Sequence, residues 1–307
     1  MKTDWNDLSG RLEVRFTGLP KVVATASGFW SQGDGELNER EIITATGFTN
    51  FERQTDRDRR EHTYAAGLKL YPMRALHVAG EYYRKVRETD YIHPVDPTSN
   101  DRGKRFPAFL TANDFTTDDY NIRVTLRPAP NLTIAGRYDY QTSTIDTAFD
   151  GLATLETGDV KTRIFSATAT FSPIPRLYLQ GYLNKVEDER LTAEETLSGG
   201  VADLVIATTN DYWSAGVSAG LAVNDATDLS ATYFHYESDN YFDNSGASVP
   251  YGSSSEENDF SVSVTRRFSD NLRVILKYGF FRNRDEAIGG LNNYDAHLVY
   301  ASGQYRF

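Results

Sequence analysis

The sequence lacks several features that identify common classes of protein. It contains no cysteine, which excludes disulfides and thiolate metal sites within the chain. No apolar run approaches the roughly 18 residues that a transmembrane helix needs. The polar opening MKTDWNDLSG has no signal-peptide pattern, so we expect that an export signal has been removed. A net charge of −11 argues against nucleic acid as a partner.

Recognisable catalytic and ligand-binding motifs are absent as well. The five histidines are scattered singly, and the sequence has no HExxH, GxSxG or paired-metal spacing. It also has no glycine-rich phosphate loop. We therefore predict no catalytic residues, no bound cofactor and no metal site.

Strict alternation of apolar and polar residues is the main positive signal. In SDNLRVILKYGFFRNRDE, residues 269–286, every second position from Leu272 to Phe280 is apolar, and Arg273 and Lys277 lie between them. A period of two places the two sets on opposite faces of a β-strand. Such strands occur in soluble sandwiches and in membrane barrels, so one strand does not separate these classes.

The alternating segments come in pairs that are joined by short turns rich in Pro, Asn and Asp. These turns are YPMRA (71–75), RPAPN (127–131), SPIPR (172–176), VNDATD (223–228) and FSDN (268–271). Longer polar segments separate the pairs, at about 87–117, 142–160, 187–210, 238–257 and 284–293. Short connections at one end and long ones at the other are typical of outer-membrane barrels.

The fold class that we predict is all-β, a closed antiparallel transmembrane β-barrel with short periplasmic turns and long extracellular loops. It forms a single domain over residues 1–307. Eleven strands lie beyond residue 61, and segments 10–16, 21–30 and 40–51 bring the total to about fourteen, an even number. The alternatives are twelve strands or part of a larger barrel, because FTGLPK (16–21) resembles the short turns. It would then leave residues 31–60 as one outer loop.

Aromatic residues occur near both ends of the predicted strands. We predict that they form two interfacial girdles, although aromatic residues also favour strands in general. The girdle residues are Trp30, Tyr82, Tyr138, Trp213, Tyr233, Phe171 and Phe268. Tyr305 and Phe307 in the final segment HLVYASGQYRF resemble the C-terminal insertion signal of bacterial outer-membrane barrels. The expected partners are therefore outer-membrane lipid, lipopolysaccharide and the barrel-assembly machinery.

Basic residues dominate the face opposite the apolar one. The predicted lumen-lining residues are Arg123, Arg137, Lys277, Arg273, Lys69 and Lys85. The same phase places only three acids on this face, Glu13, Glu81 and Asp139. Rings of Arg and Lys select anions in pores, whereas bases paired with neighbouring acids would only fill a lumen. Both interpretations remain open.

The segment TDRDRREHTYAAGLKLYPMRALHVAGEYYR (55–84) resembles the repeated hairpins of the MtrB/PioB family, the porin component of outer-membrane porin–cytochrome conduits. The resemblance extends loosely over residues 55–307. It implies a barrel that sheathes a periplasmic multihaem cytochrome. The chain itself has no CxxCH motif, so covalently attached haem would belong to that partner.

These patterns predict a bacterial outer-membrane channel or porin for passive passage of small hydrophilic solutes or ions, with a mildly anion-preferring lumen. One alternative is a barrel scaffold that sheathes a multihaem cytochrome in an extracellular electron-transfer conduit. Another is an outer-membrane enzyme, which the missing motifs disfavour.

Overall fold

The chain folds into β-strands throughout the described residues. A computed structural model describes residues 2–43, 48–95, 110–149, 156–191, 207–243, 252–285, 287 and 289–306. The strands are β1 (Lys2–Phe16), β2 (Val22–Ile43), β3 (Phe48–Met73), β4 (Leu76–Val95), β5 (Leu110–Ala129), β6 (Leu132–Phe149), β7 (Glu156–Ile174), β8 (Leu177–Leu191), β9 (Ala207–Thr209), β10 (Tyr212–Asn224), β11 (Thr227–Asp239), β12 (Ser254–Arg267), β13 (Leu272–Asp285) and β14 (Tyr294–Tyr305). No helix suited to crossing a membrane occurs in these ranges.

All fourteen strands belong to one antiparallel sheet. The hydrogen-bonded order follows the chain from β1 to β14, except that the three-residue β9 pairs only with β8, which continues to β10. Within the described ranges, β1 contacts only β2 and β14 contacts only β13. The sheet therefore has two edges, at β1 and at β14.

The connections differ in length between the two ends of the sheet. At one end all six are short, and they occupy residues 17–21, 74–75, 130–131, 175–176, 225–226 and 268–271, whereas the other end has the long ones together with the short connections 44–47 and 210–211. We call the first the short-turn end and the opposite one the long-loop end. Turn 17–21 belongs to the short-turn end because Lys21 Nζ donates to the Pro72 carbonyl at 3.0 Å, beside turn 74–75.

The number of strands agrees with the prediction, but the segments that form them differ at one strand. Residues 40–51 do not form a separate strand, since residues 40–43 end β2 and residues 48–51 begin β3. The fourteenth strand is instead β9, so thirteen strands lie on the continuous path. Successive strands on that path are antiparallel, and an odd number makes β1 and β14 run in the same direction. Both run from the long-loop end to the short-turn end.

Several strands extend well beyond the predicted limits. β2 has 22 residues and β3 has 26, whereas a strand needs about 9–11 residues to cross a membrane. Residues 31–60, which form one outer loop in the alternative to the fourteen-strand prediction, are therefore mostly a long hairpin. The other predicted loops shorten in the same way, because the long-loop ends of the strands are polar on both faces. Such strands carry no alternating apolar signal.

The two faces of the sheet differ in chemistry. One face, here called the outer face, exposes large apolar side chains such as Ile122 (52% exposed), Val217 (56%) and Leu276 (54%). The other, here called the inner face, carries the buried polar side chains of the strands, Thr55, Glu61, Thr89, Asp139, Asp188, Ser214, Ser238 and Asn283. Val186 is the one buried apolar side chain among the described residues, so no solid hydrophobic core forms here.

Candidate functional site on the inner face

The inner face of β1 to β6 curves around a cavity of about 700 Å³. The lining residues all lie on that face except Gly80, and they are Arg11, Glu13, Thr25, Ser27, Ala65, Gly67, Lys69, Ala79, Gly80, Glu81, Tyr83, Asp119, Asn121, Arg123 and Arg137. A cavity along one face of a single sheet shows that this face is concave here. Its size falls in the usual range for small-molecule sites.

The register places all six predicted lumen-lining residues on the inner face. Lys69 lies opposite Ala79, Ala79 lies opposite Arg123, and Arg123 lies opposite Arg137, so three bases share one level across β3 to β6. On β13, Lys277 lies opposite Ser263 of β12. Lys85 lies opposite Thr117, nearer the long-loop end.

Two of these six bases are paired with buried acids. Arg137 donates to Asp139, whose side chain is 5% exposed, and Lys85 Nζ lies 2.9 Å from Glu61 Oε1. The remaining four are exposed and have no hydrogen bond or ion pair within the described ranges. They are Lys69, Arg123, Arg273 and Lys277.

More acids occupy the inner face than the sequence predicted. In addition to Glu13, Glu81 and Asp139, the register places there Asp7, Glu39, Glu61, Asp119, Asp188, Asp228, Glu257, Asp259 and Asp285. Asp188 was predicted to lie in a loop, but β8 extends to Leu191. The prediction of three inner acids was therefore wrong, because it ended several strands too early and did not follow the inner phase to the strand ends.

Charge on the inner face is sorted only in part along the strands. The short-turn end carries mostly bases, which include Arg15, Lys69, Arg123, Arg127, Arg137, Arg267, Arg273 and Lys277, with Asp228 as an acid among them. The long-loop end is mixed, because Arg57, Arg59, Arg87 and Arg190 share the inner face there with acids such as Glu61 and Asp188. A solute that crosses the sheet therefore meets both signs of charge before it reaches the basic levels.

Aromatic residues of the inner face were missed by the sequence interpretation. Tyr178 and Tyr182 on β8 share the inner phase of Gln180, and Phe234 and Phe281 follow on β11 and β13. The shared phase with Gln180 is the signal that could have identified the two tyrosines. They were overlooked because apolar residues were assigned to the other face.

Glycines on β10 accommodate the two tyrosine rings. Tyr182 lies across Gly216, where an added Cβ would come within 2.4 Å of the ring, and Tyr178 lies across Gly220, where that distance is 2.1 Å. A ring over a strand glycine shields backbone that has no side chain of its own. The inner face of β8 to β14 is thus partly aromatic.

The predicted girdle residues that lie in strands have the phase of the outer face, whereas Phe268 lies in turn 268–271. Tyr82 stacks on Tyr120 with a centroid distance of 4.9 Å, and its hydroxyl donates to Asp118 Oδ1 at 2.5 Å. Trp213 Nε1 donates to Glu237 Oε2 at 2.9 Å. The other strand residues occupy similar outer positions, namely Trp30, Tyr138, Tyr233 and Phe171, and Phe268 in the turn is 60% exposed. Rings with polar partners on the side of the long loops suit a membrane interface.

Of the two predicted C-terminal signal residues, the structure describes Tyr305. Tyr305 ends β14 on the outer face, opposite Leu272, and is 59% exposed. Phe307 lies outside the described residues. Within the part of the chain that is described, no group of three or more His, Asp or Glu residues could hold a metal ion.

No protein-family description matches the chain, and no curated protein matches it significantly in sequence. Solved structures do match its fold. The ferric citrate transporter FecA has a TM-score of 0.62 and 9% identity, covering 99% of this chain and 47% of that one. The copper transporter OprC has a TM-score of 0.61 and 13% identity, covering 99% and 50%. The alcaligin outer-membrane receptor FauA from Bordetella pertussis has a TM-score of 0.55 and 12% identity, covering 97% and 48%.

These neighbours are outer-membrane β-barrel proteins, and the chain has their antiparallel architecture. The chain spans about half the length of the structures that it matches. Identities this low show a shared fold only. The comparisons do not show the MtrB/PioB family, so that resemblance stays a prediction.

Proposed function

We propose that the chain forms the wall of a β-barrel in the bacterial outer membrane, through which small hydrophilic solutes or ions pass passively. The two-faced sheet is the observation that carries this proposal. Apolar side chains such as Val217 and Leu276 are exposed on the outer face, and polar and charged ones cover the inner face. A sheet with this distribution is stable when lipid covers one face and water the other.

Closure of the barrel is part of the proposal. A sheet edge in lipid leaves backbone N–H and C=O groups without partners, and each such group costs several kcal/mol. The edges at β1 and β14 must therefore be paired in the membrane. Direct pairing of β1 with β14 needs one parallel ladder, because the two strands run in the same direction. Barrels with an odd number of strands are known in mitochondria, whereas bacterial single-chain barrels have even numbers.

A mild preference for anions is proposed for the lumen. Lys69, Arg123 and Lys277 have no partner in the described ranges, so their charge is available to passing ions. Exposed charges act over about 8 Å at physiological salt. The inner acids oppose this effect nearer the long-loop end, which keeps the net preference small.

Lipid, lipopolysaccharide and the barrel-assembly machinery are the proposed partners. The outer face supports the first two, because an apolar band lies below aromatic and charged side chains on the long-loop side. The arrangement includes Arg84, whose Nη1 lies 3.3 Å from Asp118 Oδ1. The alternating outer residues of β14 support recognition by the assembly machinery.

Conductance in planar lipid bilayers tests this function. Purified protein is expected to form channels, and reversal potentials in a KCl gradient are expected to show mild anion preference. Changing Arg123, Arg137 and Lys277 together to Glu should shift the preference towards cations. The matched control, E187Q with E189Q, alters acids of the outer face and should leave it unchanged. A cation-selective protein that ignores the triple change would contradict the proposal.

A partner-holding scaffold is the second candidate, and the inner aromatic residues favour it. Tyr178, Tyr182, Phe234 and Phe281 offer an apolar surface that a water-filled pore does not need. A barrel that sheathes a multihaem cytochrome could use such a surface to hold its partner. An empty sheath is expected to conduct far more widely than a porin, so the same recordings distinguish the two functions.

A further inference from the structure

Within the inner cavity, the basic level of Lys69 and Arg123 borders the carboxylate of Glu81. Glu81 lies opposite Gly67 of β3 and Asn121 of β5. Lys69 and Arg123 are the next inner residues on those two strands, so both are diagonal neighbours of Glu81. Diagonal neighbours on adjacent strands are about 7–8 Å apart. Two cations and one carboxylate thus surround a common space.

These three side chains make no stabilising polar contact within the described ranges. Lys69, Arg123 and Glu81 are all exposed, and within the described ranges none makes a hydrogen bond or an ion pair. Neighbouring charges are treated differently, since Arg137 contacts Asp139 and Arg11 Nη2 lies 3.5 Å from Glu13 Oε2. Charges at the same cavity that are left without partners are available to a ligand.

The basic level also carries a repulsion that is only partly compensated, because Asp139 pairs with Arg137 alone. Arg123 and Arg137 are directly opposite, and like charges in this position destabilise a sheet. A carboxylate between Lys69 and Arg123 would relieve part of that repulsion. A simple anion, however, would also face Glu81 and, one inner position beyond Asn121, Asp119. A cationic group on the same ligand would remove this second conflict.

We propose that the cavity is a binding subsite for small zwitterionic solutes, such as short amino acids that carry a carboxylate and an ammonium group. Lys69 and Arg123 bind the carboxylate, and Glu81 binds the ammonium group. The subsite lies on the proposed solute path, so this assignment rests on the proposed function. A cavity of about 700 Å³ accommodates a solute of this size.

Binding to the intact folded chain in detergent tests the assignment. Three probes of equal length are compared by calorimetry, namely γ-aminobutyrate, butyrate and n-butylammonium. The zwitterion is expected to bind at least about tenfold more tightly than either single-charge probe. Equal binding of butyrate and γ-aminobutyrate would overturn the proposal in favour of a plain anion site. Absence of zwitterion binding would overturn it as well.

Single substitutions identify the charges that act. Arg123→Gln and Glu81→Gln should each weaken γ-aminobutyrate binding by about tenfold. Lys161→Gln is the matched control, because this exposed lysine lies on the outer face of β7, away from the cavity, and should leave binding unchanged. Heat-modifiable gel migration shows whether each variant is folded. Tighter binding by the Glu81→Gln variant would overturn the assignment of the ammonium group.

The outcomes separate this subsite from the proposed channel. If the protein conducts ions but does not bind γ-aminobutyrate, the proposed channel stands and the proposed subsite fails. If the protein binds the zwitterion but forms no conducting pathway, the proposed subsite stands and the proposed passive passage fails. Block of the channel current by γ-aminobutyrate, absent in the Glu81→Gln variant, supports both.

Discussion

Arg123 of β5 and Arg137 of β6 lie directly opposite each other on the inner face. Only Arg137 has a carboxylate partner among the described residues, the buried Asp139, which also accepts a hydrogen bond from Asn121 Nδ2 at 2.6 Å. One guanidinium of the pair is thus compensated and the other is exposed to the cavity. Because Asp139 compensates Arg137, substitution of Asp139 changes the net charge that faces the cavity.

Removal of the Asp139 charge should therefore have two effects. D139N leaves Arg137 without its anion, so we expect about 1 to 3 kcal/mol of lost stability and a shift of the reversal potential towards anions. Urea unfolding in lipid vesicles and bilayer recordings measure the two effects. D225N is the control, since Asp225 pairs with Arg176 at the exposed short-turn end. An unchanged reversal potential in D139N would show that Arg137 does not face the solute path.

The outer face should reject charge. V217R and L276R place a cation on exposed apolar positions of that face and should cost about 2 to 4 kcal/mol near the bilayer midplane. S218R, the neighbouring position on the inner face, should cost much less. Unfolding free energies in vesicles test this. Equal costs for V217R and S218R would mean that the two faces are assigned wrongly.

The two sheet edges can be located by cross-linking. The chain has no cysteine, so L12C on β1 and V299C on β14 supply the only two thiols. If β1 and β14 meet within one chain, a short bis-maleimide should join them, and the product should add only the mass of the linker and remain at the monomer position on a denaturing gel. The L12C single variant serves as the control. A cross-linked dimer would place the seam between two copies, and no product would show that other strands cover the edges.

The contact between Tyr182 and Gly216 should be sensitive to a methyl group. A Cβ at position 216 would come within 2.4 Å of the ring, so G216A is expected to displace the ring and cost about 1 to 3 kcal/mol. G303A is the matched control, because no atom lies within 4 Å of a Cβ placed there. In the double variant G216A/Y182A the two effects should not add. Additive costs would indicate that the ring does not pack on Gly216.

Much of the fold could be predicted from the sequence because alternation is a local property. The phase of Leu272, Val274 and Leu276 against Arg273 and Lys277 follows from the two-residue period alone. The inner position of Arg123 and Arg137 could be predicted in the same way. The polar strand ends could not, and Asp188 was therefore assigned to a loop although it lies in β8.

Three properties follow from the sequence, namely which residues alternate, where the tight turns lie and which side chains share a face, since all three depend on neighbours within a few positions. The other properties depend on how distant segments pair. Register between distant segments sets three features. They are the shared level of Lys69 and Arg123 on either side of β4, the position of the Tyr182 ring over Gly216, and the shared direction of β1 and β14. Register is set by pairing over the whole sheet, and no local pattern contains it.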